Sequence, residues 1–171
     1  MNAPEMSFAP AAVTAGEREI VMNRVYGFPR EQVFRAWTDP QQIAHWWGPD
    51  GFTNTISEMD VRPGGSWRFV MQGPDGTDYP NRIVYLEVEP PSLLRYAHGG
   101  DPGGEDFTPD FHVTVVFEAL GAHTRLTATL VFDSAEACAE VQRFGALEGG
   151  RQTFERLAQF LARTAETGEL R

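Results

Sequence analysis

Four histidines, one cysteine and a scatter of carboxylates are the groups in this chain whose chemistry could go beyond packing, and their spacing decides how far. His45, His98, His112 and His123 stand apart, with no HxxxH, HxH or CxxC spacing to bring metal ligands onto one face. Neither a metal nor another cofactor is expected. No GxSxG nucleophile elbow occurs. The stretch HGGDPGGEDFTP, from His98 to Pro109, is rich in glycine but does not lead from a strand into a helix as a phosphate-cradling loop does. Its Asp101, Glu105 and Asp106 would repel phosphate, so it reads as a surface loop. Glu58, Asp60, Arg62, Arg68, Glu87 and Arg95 interleave with apolar positions. A buried carboxylate among them could act as a general acid or base, but the alternation places most of them in ion pairs on a solvated sheet face. The chemistry that remains is binding. Three tryptophans crowd the run FPREQVFRAWTDPQQIAHWWGPDGFTNTISEMDVRPGG between Phe28 and Gly65, and His45 lies beside them, either in a ligand site or in a capping or surface role.

The elements that must position these groups can be read from capping and periodicity. Pro29 suits the first position of a helix that carries Val33, Phe34 and Trp37 on one face. Asp39 is a good N-cap and Pro40 fits the next first position, so a second helix carries Ile43, Trp46 and Trp47 until Gly48-Pro49 ends it. A first strand spans 17–26, ahead of the helices. Trp67, Phe69 and Met71 alternate with polar or mixed residues, and Asp75-Gly76 marks a turn. Symmetric pairing about that turn sets Trp67 opposite Val84 and puts Arg68, Ile83 and Tyr85 on the other face. The hairpin around Gly121-Ala122 pairs Phe117 with Leu126, Val115 with Ala128, Val113 with Leu130 and Phe111 with Phe132. Its other face then holds Glu118 with Arg125, Thr114 with Thr129, and a solvated His112. One face is dry and needs a cover. That cover is a helix from an N-cap at Ser134 to about Ala165, with Val141, Phe144, Leu147, Phe154, Leu157 and Leu161 at helical spacing. Gly145, Gly149 and Gly150 interrupt it, each costing about 0.5–1 kcal/mol against alanine. They imply a kink, a close helix–sheet approach, or volume left for a ligand.

The words AWTDP, HWWGP and RPGGSWRF, in that order and followed by strands and a long final helix, resemble the bacterial homologues of the activator of heat-shock protein 90 ATPase. That family is a branch of the START-like, pollen-allergen-like helix-grip superfamily, and the resemblance runs over roughly residues 17 to 165. It implies one α+β domain: a curved antiparallel sheet of six to seven strands, two short helices after the first strand, and a long C-terminal helix over the concave face. It also implies that the glycine-rich loop lies near a cavity mouth as a lid. Relatives often carry an aromatic where this chain has Gly150, which suggests a roomier cavity here. The favoured function is binding of a small hydrophobic or amphipathic ligand between helix and sheet. The expected lining is Trp37, Trp47, Trp67, Phe69, Met71, Tyr96, Val113, Val115, Phe117, Leu126, Phe144, Leu147 and Gly150. A protein–protein role like that of the chaperone ATPase activator is the alternative, and a cyclase- or hydrolase-type enzyme comes third.

Composition bounds the partners. A chain of 171 residues, 42% hydrophobic and 22% charged, is ordinary for one soluble domain. The formal charge of -10 disfavours nucleic acid and anionic membrane surfaces. Met1 to Gly16 has neither the basic start nor the apolar core of a signal peptide; 1–16 reads as a disordered tail, 17–165 as the domain and 166–171 as a second tail. The single Cys138 precludes an internal disulfide and fits a reducing cytoplasm. The chain is expected as a monomer or homodimer.

Overall fold

The computed structural model describes residues 9–167, with side chains described as far as residue 165. Eight strands form one antiparallel sheet: β1 (Ala12–Ala15), β2 (Glu19–Tyr26), β3 (Thr53–Met59), β4 (Ser66–Gln72), β5 (Asp78–Glu89), β6 (Leu93–Gly100), β7 (Phe111–Leu120) and β8 (His123–Phe132). Their spatial order is β1-β2-β8-β7-β6-β5-β4-β3, so only the step from β2 to β8 joins strands distant in sequence. The helices α1 (Arg30–Thr38) and α2 (Pro40–Ile43) follow β2, while α3 (Ala135–Arg143) and α4 (Ala146–Thr167) close the chain.

Three departures from the sequence expectation have clear physical causes. The sheet has eight strands because Ala12–Ala15, assigned above to a tail, pairs with β2 as an antiparallel edge strand. Ala11 is buried beside it, which anchors the segment. Residues 1–8 and 168–171 of the two expected tails lie outside the described residues, and α4 runs through Thr167. The β4–β5 pairing is shifted by one residue, with Trp67 opposite Ile83 and Ser66 opposite Val84. The turn is a five-residue loop, in which Gly73 N–H donates to Thr77 O at 2.8 Å and Asp75 Oδ1 accepts from Thr77 N at 3.0 Å. An odd loop moves the register by one, so Ile83 and Tyr85 face the core beside Trp67. The single C-terminal helix is two, separated at Phe144-Gly145, where Gly145 takes φ +84°.

Smaller local rules hold. Ser134 caps α3 by accepting from Ala137 N, and Asp39 caps α2 by accepting from Gln41 N. Pro29 occupies the cap of α1 itself, one position earlier than expected. α2 stops at Ile43, leaving Trp46 and Trp47 in the turn that follows. The β7–β8 register is the expected one throughout, from Phe111 opposite Phe132 to Glu118 opposite Arg125. His112 is exposed, as that register requires.

The core fills the dry face of the sheet. At one end α1 packs Phe34 against Phe117, with ring centroids 5.1 Å apart, and Trp37 lies 6.1 Å from the same ring. At the other end α4 buries Phe154, Leu157, Phe160 and Leu161. Tyr26 ties sheet to helix by donating its hydroxyl to Phe154 O at 2.9 Å. Burial keeps that phenol protonated far above its ordinary range. The charged strand residues sit as ion pairs on the outer face or at its margins: Arg62 with Asp60 at 2.7 Å, Arg68 with Glu58 at 3.5 Å, and Arg95 with Glu87 at 2.7 Å.

Candidate functional site

Where α3 gives way to α4 the helical cover thins, and a cavity of about 390 Å³ opens beneath it. Its roof is Val141 of α3, Phe144 and Gly145 of the joint, and Ala146, Gly149, Gly150, Thr153 and Phe154 of α4. Its floor is the dry face of β2, β8, β7 and β6, with Met71 of β4 at one side. Trp37, Trp47, Gly48 and Pro49 form the end wall. This size lies within the range of small-molecule sites.

The glycines make the space. Gly149 and Gly150 turn bare backbone toward the cavity, and a Cβ built on Gly150 would collide with Met22 Sδ, the mobile tip of a floor residue. Gly150 therefore does two things at once: it accommodates Met22 and borders the void. Phe144 is 82% exposed because the break at Gly145 swings it off the apolar stripe of the helix to the rim of the cavity.

The end wall depends on one arginine. Arg156 of α4 donates to Trp47 O at 3.2 Å, Gly48 O at 2.8 Å and Pro49 O at 2.9 Å through Nη1, and to His45 O at 3.4 Å and Phe52 O at 3.1 Å through Nη2. Burial draws its pKa down, and the nearby Asp50 charge opposes that. The guanidinium thus gathers the carbonyls of a loop without regular secondary structure, joining Asn54 Nδ2 on Trp47 O at 2.8 Å and the Phe52 N–H on Pro49 O at 3.1 Å. His45, considered above for a ligand role, instead stacks on Phe160 with centroids 6.0 Å apart.

Of the residues expected to line the pocket, Trp37, Trp47, Met71, Tyr96, Val113, Phe144 and Gly150 do so. Trp67, Phe69, Val115, Phe117, Leu126 and Leu147 do not. Trp47 lies over Trp67, with centroids 5.0 Å apart, and Trp67 stacks on Phe69 at 4.1 Å, so the tryptophan loop seals that part of the sheet. Val115, Phe117 and Leu126 are buried in the core, Phe117 against Phe34 of α1. Leu147 turns to a separate cluster around Ile20, Phe132 and Cys138.

His98, read from the sequence as a scattered histidine at the start of the glycine-rich loop, belongs instead to β6 and lies in the cavity wall among Trp47, Phe69 and Phe111. Its Nε2 is 2.9 Å from Asn81 Oδ1, and Asn81 Nδ2 donates to Tyr79 O at 2.8 Å. Burial pulls its pKa down to about 4, so the ring is neutral at physiological pH. The signal was present: His98 stands two residues after Tyr96 and so shares its face of β6. Tyr96 is buried, and burial holds its hydroxyl protonated well above its usual range. Thr153 spends its hydroxyl proton on Gly149 O at 2.8 Å. The Trp37 indole N–H is buried without a partner. No Lys, Arg, Asp or Glu side chain contributes to the wall, and no group of three or more His, Cys, Asp or Glu that could hold a metal occurs among the described residues.

The glycine-rich loop is not a lid on this cavity. Arg68 donates to Gly104 O at 2.6 Å and Arg82 to Glu105 O at 3.3 Å, both from the outer face of the sheet. Beneath it a Cβ on Gly99 would lie 2.7 Å from Thr108 O, so the loop rests directly on bare strand backbone. Among the described residues no helix is long and apolar enough to cross a membrane.

A family model described as "Activator of Hsp90 ATPase homolog 1-like protein" matches residues 27–162. No curated protein matches the chain. Among solved structures, a protein from Arthrobacter aurescens determined by solution NMR is 27% identical, with a TM-score of 0.82 over 89% of this chain and 91% of its own. A crystal structure from Mycobacterium smegmatis is 25% identical, with a TM-score of 0.80 over 92% of this chain and 99% of its own. One from Nitrosomonas europaea, 24% identical, shares the fold with a TM-score of 0.77 over 90% of this chain and 99% of its own. These neighbours share the helix-grip arrangement of an antiparallel sheet with a long C-terminal helix.

Proposed function

We propose that this chain, which belongs to the activator of Hsp90 ATPase homolog 1-like family, binds a small apolar molecule between its C-terminal helices and the dry face of its sheet. Membership supplies the START-like frame, and a frame does not choose among functions. The observation that supports the binding reading is the cavity itself: about 390 Å³ of space, walled by aromatic and aliphatic side chains and free of charged ones. A concavity of this size with an apolar lining and few polar groups has the ordinary make-up of a small-molecule site. Its opening lies at a helix break rather than inside a continuous cover, which gives a ligand a route in.

Titration with the neutral fluorophore N-phenyl-1-naphthylamine, alongside native mass spectrometry of freshly purified protein, tests this. Saturable one-to-one uptake is the expected result. If the wild-type chain takes up no probe, the binding reading falls, and a protein–protein role of the kind the family name describes becomes the one to pursue.

A further inference from the structure

Among the polar side chains of the cavity wall, His98 is the one whose hydrogen-bond partner fixes what it can offer a ligand. The hydrogen bonds around it fix its tautomer. Asn81 Nδ2 donates to Tyr79 O at 2.8 Å, which turns the amide oxygen toward the imidazole. An oxygen can only accept, so His98 Nε2, 2.9 Å away, carries the proton. Nδ1 is left with a lone pair and has no hydrogen-bond partner among the described residues. Burial holds the ring neutral, with a pKa of about 4, so this lone pair persists at physiological pH.

We propose, on the premise that the cavity binds a small molecule as argued above, that its ligand is a neutral aromatic alcohol whose hydroxyl donates to Nδ1 of His98. The aromatic body follows from the walls: Trp37, Trp47, Phe111, Phe132 and Phe154 offer ring faces and edges. The hydroxyl follows from the acceptor, because a ligand that covers this lone pair without donating to it would leave it desolvated and unpaired. Neutrality follows from the absence of any cation in the wall. A carboxylate would bring only acceptors to a lone pair and would surrender its hydration without compensation.

Calorimetric titration of the wild-type chain with naphthalene, 2-naphthol and 2-naphthoate tests the assignment. 2-Naphthol is expected to bind about tenfold more tightly than naphthalene, the effect of one net hydrogen bond, and naphthoate at least about tenfold more weakly than 2-naphthol. In His98→Phe the preference for 2-naphthol over naphthalene should disappear, whatever the substitution does to the affinity for both, and a preference that persists would overturn the assignment. The Nδ1 resonance of ¹⁵N-labelled wild-type His98 should shift on adding 2-naphthol but not naphthalene, a readout that needs no variant to fold. Equal affinities for naphthalene and 2-naphthol, or an unmoved Nδ1 resonance at saturation, would overturn the assignment and leave the cavity reading standing. Failure of all three compounds to bind would overturn both.

Discussion

At the residue scale, two side chains that line or brace the cavity carry measurable signatures. His98 has a folded-state pKa of about 4 against an ordinary 6.5, so below neutrality the unfolded chain takes up a proton that the folded chain refuses. Stability contributed by keeping this ring neutral is intact above pH 6.5 and is lost as the pH falls toward 4. Between pH 7 and pH 5 the loss should be about 2 kcal/mol. Urea denaturation at a series of pH values should show this slope in the wild type and a slope shallower by that amount in His98→Phe; parallel slopes would assign the acid sensitivity elsewhere. Arg156 is the second case, since five carbonyl oxygens accept from its fork of donors, Trp47 O and Pro49 O having a further donor each. Arg156→Met should cost roughly 2–3 kcal/mol by denaturant unfolding. Arg156→Lys should recover less than half of that, because an ammonium on a flexible stem cannot span the same acceptors. Probe affinity should fall in both variants, since Trp47, Gly48 and Pro49 lose their brace.

At the element scale, the decisive feature is the break between α3 and α4. Helix propensity says that replacing a glycine inside a helical stretch by alanine should stabilise it by up to about 1 kcal/mol. Gly145, however, sits at φ +84° with open space around its missing side chain, so the effect of a Cβ there is purely a matter of backbone. Gly145→Ala is therefore expected to destabilise by about 1 kcal/mol, the opposite sign. Thermal melts of the two proteins decide the point, and a rise in Tm would mean that α3 and α4 can fuse into one helix. The same break explains why a large aromatic such as Phe144 stays 82% exposed: a continuous helix would have carried it onto the sheet with Val141.

At the scale of the whole molecule, the cavity is the difference between what the helices could cover and what they do cover. α1 and the tryptophan loop fill one end of the dry face and α4 fills another, and the remaining gap lies under the glycines. Gly150→Trp should fill that gap. The indole would have to displace Met22 Sδ, the flexible end of an unbranched side chain, so the fold should survive with a loss below about 2 kcal/mol while uptake of the neutral probe falls at least about tenfold. Pairing it with Met22→Ala should recover stability without recovering binding. A Gly150→Trp variant that keeps full probe affinity would show that the probe sits elsewhere.

How much of this was legible in the chain depends on how local each feature is. The capping at Asp39 and Ser134, the β7–β8 register and the inward or outward sense of its side chains follow from neighbouring residues, and the sequence determined them by itself. The family-bearing words among the tryptophans likewise marked the frame. A five-residue turn instead of a symmetric one shifted the β4–β5 register, because the loop closes through backbone hydrogen bonds that alternation does not encode. Periodicity could identify Trp67, Phe69, Val115, Phe117 and Leu126 as dry but could not say which dry residues would be covered by protein and which left bordering a void. That was decided only when Trp47 settled over Trp67 and α1 over Phe117. His98 is the sharpest case: its chemistry depends on Asn81, seventeen residues away, and on the aromatic rings around it, so only tertiary structure could make a scattered histidine a neutral acceptor in an apolar wall.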